Sequence, residues 1–176
     1  MIHLILGGAR SGKSRYGLSV ANDLAARQQV NKYFVATATS FDDEMQHRIE
    51  RHQQERGKDW PLAEVPLALP EYLAQQSGPG VMLVDCLTLW LNNQFYHFPE
   101  QDFPALFQSL TEALQQCPLD VVLIANEIGL GVIPAGDVSR RFVDQAGWLN
   151  QAVAAIADRV TLVVAGIPVI VKEVQA

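Results

Sequence analysis

Eight residues close to the start, Gly7, Gly8, Ala9, Arg10, Ser11, Gly12, Lys13 and Ser14, have the types and spacing to hold a chain of phosphates. They fit G-x-x-x-x-G-K-[ST], with the apolar run "IHLIL" before them and a helix-compatible segment behind, the setting that this string requires. Glycines let the backbone curl until successive N–H groups aim at phosphate oxygens, and the helix that follows adds the positive end of its dipole. Lys13 then bridges the terminal phosphates and catalyses by charge, and the Ser14 hydroxyl can ligate Mg²⁺. A second metal-supporting candidate is Asp85, which closes the apolar run "VMLVD" where open α/β sheets gather their ligands. An ordinary strand-end or helix-capping Asp is the alternative there.

The segment "SFDDEMQHRIERHQQERG" (40–57) holds a different kind of chemistry. Ser40 with Asp43 starts a helix as a capping box, and Gly57 ends it. On the helical wheel Phe41, Met45 and Ile49 form an apolar stripe; His52 falls on that side and His47 far from it. Arg48, His52 and Arg56 follow at intervals of four, so an imidazole stands between two permanent cations. A neutral imidazole so placed can attack phosphorus and form a covalent intermediate while the arginines neutralise developing charge. The residues alone leave the blander reading open: a solvated helix with surface ion pairs such as Glu44–Arg48, and His52 packed beside Ile49.

The elements that must position these groups are short apolar runs at 2–6, 33–37, 81–85, 121–125 and 160–165, separated by longer segments of helical period. Continuous apolar strands alternating with helices predict an α/β domain with a mostly parallel sheet covered on both faces. The tail "GIPVIVKEV" (166–174) predicts a tight turn into a last antiparallel strand at an edge, because Pro168 cannot donate within a central ladder. With 176 residues, 49% apolar and 18% charged, the chain has the makings of one folded domain. A net charge of −6 argues against nucleic acid or an anionic membrane as partner, so any phosphate must be gripped locally. Cys86 and Cys117 are too few for a disulfide framework and read as reduced core thiols. Neither a basic leader nor an apolar run of about 18 residues is evident, so a cytoplasmic protein without a membrane span is expected.

Four motifs in order, "GGARSGKSR", "VATATSFDDEMQHRIERH", "NEIGLGVIP" (126–134) and "RRFVDQAGWLNQ" (140–151) leading to "VTLVVAGIP", resemble the bifunctional adenosylcobinamide kinase/adenosylcobinamide-phosphate guanylyltransferases of cobalamin biosynthesis. The resemblance runs over nearly the whole chain and implies one P-loop NTPase-like (RecA-like) domain over 1–176. It implies phosphorylation of adenosylcobinamide by ATP or GTP, then GMP transfer from GTP to the product with loss of pyrophosphate. The R-I-x-x-H element places the GMP-carrying histidine at His52, leaving His3, His47 and His97 as ordinary surface or core residues. Nucleotide contacts are implied at Gly7–Ser14, at Ala36, Thr37 and Ala38, at Gln53, Gln54, Glu55 and Arg56, and at Glu64 and Asp85. Some relatives carry two adjacent histidines where this chain has Arg51-His52, and serine where it has Ala38. The resemblance also implies a homotrimer, with a corrinoid able to lie between subunits.

Two further readings accompany these motifs. Asn126 and Glu127 should end the fourth strand beside the phosphate loop, Glu127 either as a corrinoid or Mg²⁺ contact or as a loop-closing residue. Arg140 and Asp144 lie four apart on a helix, and Gly147 offers a place for a neighbouring backbone to approach. A kinase acting alone, with His52 as a phosphate contact, and a nucleotide-sensing module without turnover are the competing functions.

Overall fold

The structure, a computed structural model, describes residues 1–39 and 60–174. Seven strands, β1 (Ile2–Gly7), β2 (Lys32–Ala36), β3 (Leu62–Glu64), β4 (Val81–Asp85), β5 (Asp120–Asn126), β6 (Arg159–Val164) and β7 (Ile167–Glu173), form one sheet in the order β3-β2-β4-β5-β1-β6-β7. Every pairing is parallel except β6 with β7. Five helices accompany them among the described residues: α1 (Lys13–Gln28), α2 (Leu69–Ala74), α3 (Leu87–His97), α4 (Phe103–Gln116) and α5 (Asp137–Ile156).

Alternation along the strands feeds two cores, since successive side chains of a strand point to opposite faces. Val121, Leu123 and Ala125 of β5 pack with Met82 and Val84 of β4 beneath Trp90, Leu91, Phe107, Leu110 and Val153 of α3, α4 and α5. Val122 and Ile124 turn the other way and pack with Ile5, Leu83 and Ala21 of α1. The α1 contact is close because small residues recur at Gly17, Ala21 and Ala25; a Cβ at Gly17 would stand 2.5 Å from Ile124 Cδ1. A parallel sheet wrapped on both faces is thus the physical result of strands that are apolar on both sides.

The expected strands form within a residue or two of the expected ends, and β7 takes the antiparallel edge, with Pro168 opposite Val163. β3 was not expected. Three residues give no period to read, and β3 forms because β2 offers it a free edge, with Phe34, Val35 and Ala36 opposite Leu62, Ala63 and Glu64. Asp102 caps α4 by accepting the Ala105 N–H at 3.0 Å, and Pro104 sits in the first turn where no donor is needed. No helix among the described residues is long and apolar enough to cross a membrane.

Candidate active site

The phosphate loop leaves the C-terminal end of β1, in the inner part of the sheet, and enters α1 at Lys13. Gly12 immediately precedes the helix at φ +93°, a conformation that L side chains rarely adopt. Its carbonyl accepts the Tyr16 N–H at 3.0 Å and so starts the helical ladder. The Gly8 carbonyl takes the Ser11 N–H at 3.2 Å and the Lys13 ammonium at 3.0 Å. The Gly7 carbonyl accepts the Glu127 N–H at 3.1 Å. Within a trans peptide the carbonyl and the next N–H point in opposite directions. Anchoring these carbonyls in protein therefore turns the N–H groups of the following residues the other way, the arrangement that makes an anion nest. Lys13 is 9% exposed, and burial lowers its pKa, with Cys86 and Asp85 pulling it back up. Lysine, thiol and carboxylate thus share one neighbourhood.

Asp85 is set there by a buried clasp between β2 and β4. The Thr37 hydroxyl donates to the Cys86 carbonyl at 2.7 Å and accepts the Cys86 N–H at 2.9 Å. The Thr37 N–H donates to the Asp85 carbonyl at 3.3 Å. Asn93, on α3, fixes Thr37 in turn: its amide donates to the Thr37 carbonyl at 2.7 Å and the Pro66 carbonyl at 3.0 Å, and its Oδ1 accepts from Thr39 Oγ1 at 3.0 Å. Burial first, then Asp85, pushes the Cys86 thiol up to about 12, which keeps it protonated and unreactive. Asn93 was missed in the sequence. Its signal was there, since Asn93 and Gln94 are polar residues buried in an otherwise apolar helix, a pairing that asks for a partner.

Strand register lines up the carboxylate candidates. Asp85 stands opposite Ala36, and Ala36 opposite Glu64, so three expected nucleotide residues sit side by side where β4, β2 and β3 end. On the other side of β4 comes β5, whose Asn126 pairs with Gly7. At roughly 4.8 Å per strand, Asp85 lies two spacings, about 10 Å, from the phosphate-loop strand, and Glu64 about 19 Å from it. Ala38 follows at the same end, partly buried. Thr37 is fully buried with its hydroxyl committed to Cys86, so its side chain braces Asp85 instead of facing outward. His52, Gln53, Gln54, Glu55 and Arg56, with Arg48 and His47, lie outside the described residues.

Beyond β5 the sequence expectations divide. Asn126 and Glu127 do end β5 beside the loop, and Thr88 Oγ1 accepts the Asn126 N–H at 2.7 Å. Glu127 closes its own turn, accepting the Gly129 N–H at 2.8 Å. Arg140 bonds Asp137 at 2.9 Å and the Pro134 carbonyl at 3.3 Å in place of an Asp144 pair, because those acceptors lie at the N-terminal end of the same helix. Gly147 meets no neighbouring backbone; a Cβ there would have nothing within 4 Å. His3 is a core residue, its Nε2 2.9 Å from Thr161 Oγ1, and His97 is exposed at the end of α3. Among the described residues no three His, Cys, Asp or Glu groups cluster to hold a metal.

A mostly parallel sheet, a glycine-rich loop entering a helix and an acid two strands away describe a nucleotide-binding fold, and comparison with known proteins narrows it. Residues 3–171 match the family described as cobinamide kinase / cobinamide phosphate guanyltransferase. The chain belongs to this family. It is accordingly a cobinamide kinase and cobinamide phosphate guanylyltransferase of cobalamin biosynthesis. It is 46% identical over 173 residues, 98% of each chain, to the bifunctional adenosylcobalamin biosynthesis protein CobP of Pseudomonas aeruginosa. It is 39% identical to the bifunctional adenosylcobalamin biosynthesis protein CobU of Escherichia coli, over 98% of this chain and all of that one. Among solved structures, flagellar accessory protein FlaH from Methanocaldococcus jannaschii superposes with a TM-score of 0.55 at 11% identity, over 98% of this chain and 78% of that one. A helicase ATPase domain gives 0.51, also at 11% identity, over 92% of this chain and 68% of that one. These two likenesses concern the P-loop fold alone.

Proposed function

We propose that both family reactions run at the phosphate loop and that His52 carries GMP between GTP and the corrinoid phosphate. In the first reaction the aminopropanol hydroxyl of adenosylcobinamide attacks the γ-phosphorus of ATP or GTP. The hydroxyl loses its proton and the nucleoside diphosphate leaves. In the second, an imidazole nitrogen of His52 attacks the α-phosphorus of GTP; a P–N bond forms, the bond to the β-phosphate oxygen breaks and pyrophosphate leaves. A phosphate oxygen of adenosylcobinamide phosphate then attacks the same phosphorus and breaks the P–N bond, which releases adenosylcobinamide-GDP and restores the histidine. Lys13 and the loop N–H groups hold the phosphates in both reactions, with Arg48 and Arg56 balancing charge around His52.

The observation that carries this reading is the pairing of a buried Lys13 with Asp85 across the end of the sheet, on a chain that matches the family from residue 3 to residue 171. Ser14 and Asp85 are hard oxygen donors of the kind Mg²⁺ takes, with the rest of its shell left to phosphate and water. Mg²⁺ bound there would neutralise charge on the transferring phosphates. Ala36, Ala38 and Glu64 then line the path of the nucleoside, and Thr37 holds that wall from behind. Assembly as a homotrimer is supported by β7, an edge strand that leaves Ile167, Val169, Ile170 and Val171 exposed where natural sheets normally cover or charge an edge. The net acidity of the chain favours small phosphate ligands over nucleic acid, and a cytoplasmic setting suits free nucleotide and reduced thiols.

The test is intact mass after mixing with Mg-GTP, with and without His52→Ala. An acid-labile, base-stable GMP adduct on the wild-type chain, lost in His52→Ala, is expected. An adduct retained in that variant moves the nucleophile elsewhere. No adduct and no pyrophosphate release, with γ-phosphate transfer to adenosylcobinamide intact, leaves a kinase only.

A further inference from the structure

We infer that the two-residue turn joining β6 to β7, Ala165-Gly166, is a positioning element that holds the phosphate loop in its ligand-ready curl; this rests on the nucleotide reading of that loop. The Gly166 N–H donates to the Ser11 carbonyl at 2.8 Å, a bond between segments 155 residues apart in sequence. The two segments also pack tightly. A Cβ at Gly12 would stand 3.3 Å from Gly166 Cα, and a Cβ at Gly7 would stand 2.7 Å from the Val163 carbonyl oxygen. Two glycines of the phosphate motif therefore answer to the hairpin as well as to phosphate.

The hairpin is shaped for this contact. Val164 pairs with Ile167, so only Ala165 and Gly166 make the turn, at φ +51° and +82°. Positive φ at both central residues is the hairpin geometry whose twist matches that of the strands. Alanine holds such a conformation poorly, and the turn keeps it at Ala165. A Cβ on Gly166 would itself find room, its nearest contact being Arg15 Nη2 at 3.9 Å, so the requirement at 166 is backbone conformation and not space. By the planarity of the peptide, fixing the Ser11 carbonyl toward the hairpin turns the Gly12 N–H the opposite way. Glycine-rich peptides flip cheaply, and a flipped one would present a carbonyl to phosphate. The Gly166 bond opposes that flip before any ligand arrives.

The experiment compares Gly166→Val, which disfavours positive φ, with Gly166→Asn, which tolerates it. Binding of Mg-GTP is measured directly by calorimetry on folded full-length protein, and the kinase rate is measured at saturating nucleotide. Gly166→Val is expected to raise the dissociation constant five- to tenfold, the range set by one lost hydrogen bond, with kcat within about twofold. Gly166→Asn should stay within about twofold on both. Folded Gly166→Val that binds as tightly as wild type, or Gly166→Asn that loses as much, overturns the inference. Should Gly166→Val not fold, amide exchange on the wild-type chain decides: the exposed Gly166 N–H should be protected and become more so with Mg-GTP. Exchange at the rate of an open turn, or no response to Mg-GTP, overturns it. A wild-type chain that does not bind Mg-GTP removes the nucleotide reading itself and this inference with it.

Discussion

Thr37→Val is the substitution that most sharply separates a bracing residue from a ligand contact. Valine keeps the shape and removes the hydroxyl that accepts the Cys86 N–H at 2.9 Å and donates to the Cys86 carbonyl at 2.7 Å. The carbonyl keeps a second donor, the Trp90 N–H at 3.1 Å, whereas the N–H is left unpaired in a fully buried place. An orphaned buried donor costs about 1–3 kcal/mol, and the added methyl recovers about 0.8 kcal/mol at most. The net loss is about 1–2 kcal/mol, or about 2–8 °C of melting temperature for a domain of this size. Melting followed by circular dichroism, in the absence of nucleotide, is the assay. Because Thr37 also ties down the Asp85 carbonyl, kinase turnover should fall in the same variant, whereas Thr37→Ser, which keeps the hydroxyl, should retain it. A Thr37→Val protein that melts within about 1 °C of wild type but binds Mg-GTP poorly would refute the bracing argument, and would show the hydroxyl reaching a ligand.

Three other outcomes follow from the geometry. Gly7→Ala should destabilise the apo protein by about 1–3 kcal/mol in urea titration, because its Cβ would meet the Val163 carbonyl at 2.7 Å, whereas Gly8→Ala, with nothing within 4 Å, should stay within about 0.5 kcal/mol. His3, whose pKa is lowered from 6.5 to about 4 first by burial and then by Arg159, stays neutral in the fold while the unfolded chain takes up a proton. Stability should therefore fall with pH between about 6.5 and 4, by no more than about 3 kcal/mol, and His3→Gln should flatten that part of the curve. Charging the exposed edge with Val169→Lys and Val171→Lys should lower the oligomeric mass in sedimentation velocity; a wild-type chain that sediments as a monomer would end the trimer proposal.

Sequence alone determined the alternation of strands and helices, the phosphate loop, the antiparallel last strand and the family, since each of these is written in local pattern. Apolar runs that are buried on both faces need no distant partner to be recognised, and glycines at fixed offsets before a lysine declare a backbone that must curl. What tertiary structure decided is which distant groups meet. Only the strand order places Asp85 two strands from Gly7 and opposite Ala36. Only folding reveals that Thr37, legible as a nucleotide contact, spends its hydroxyl on Cys86, and that Asn93 and Gly166 hold the site from α3 and from the far edge of the sheet. Hydrogen bonds across 50 or 150 residues leave no periodic trace in sequence, because their partners satisfy geometry and burial instead of spacing.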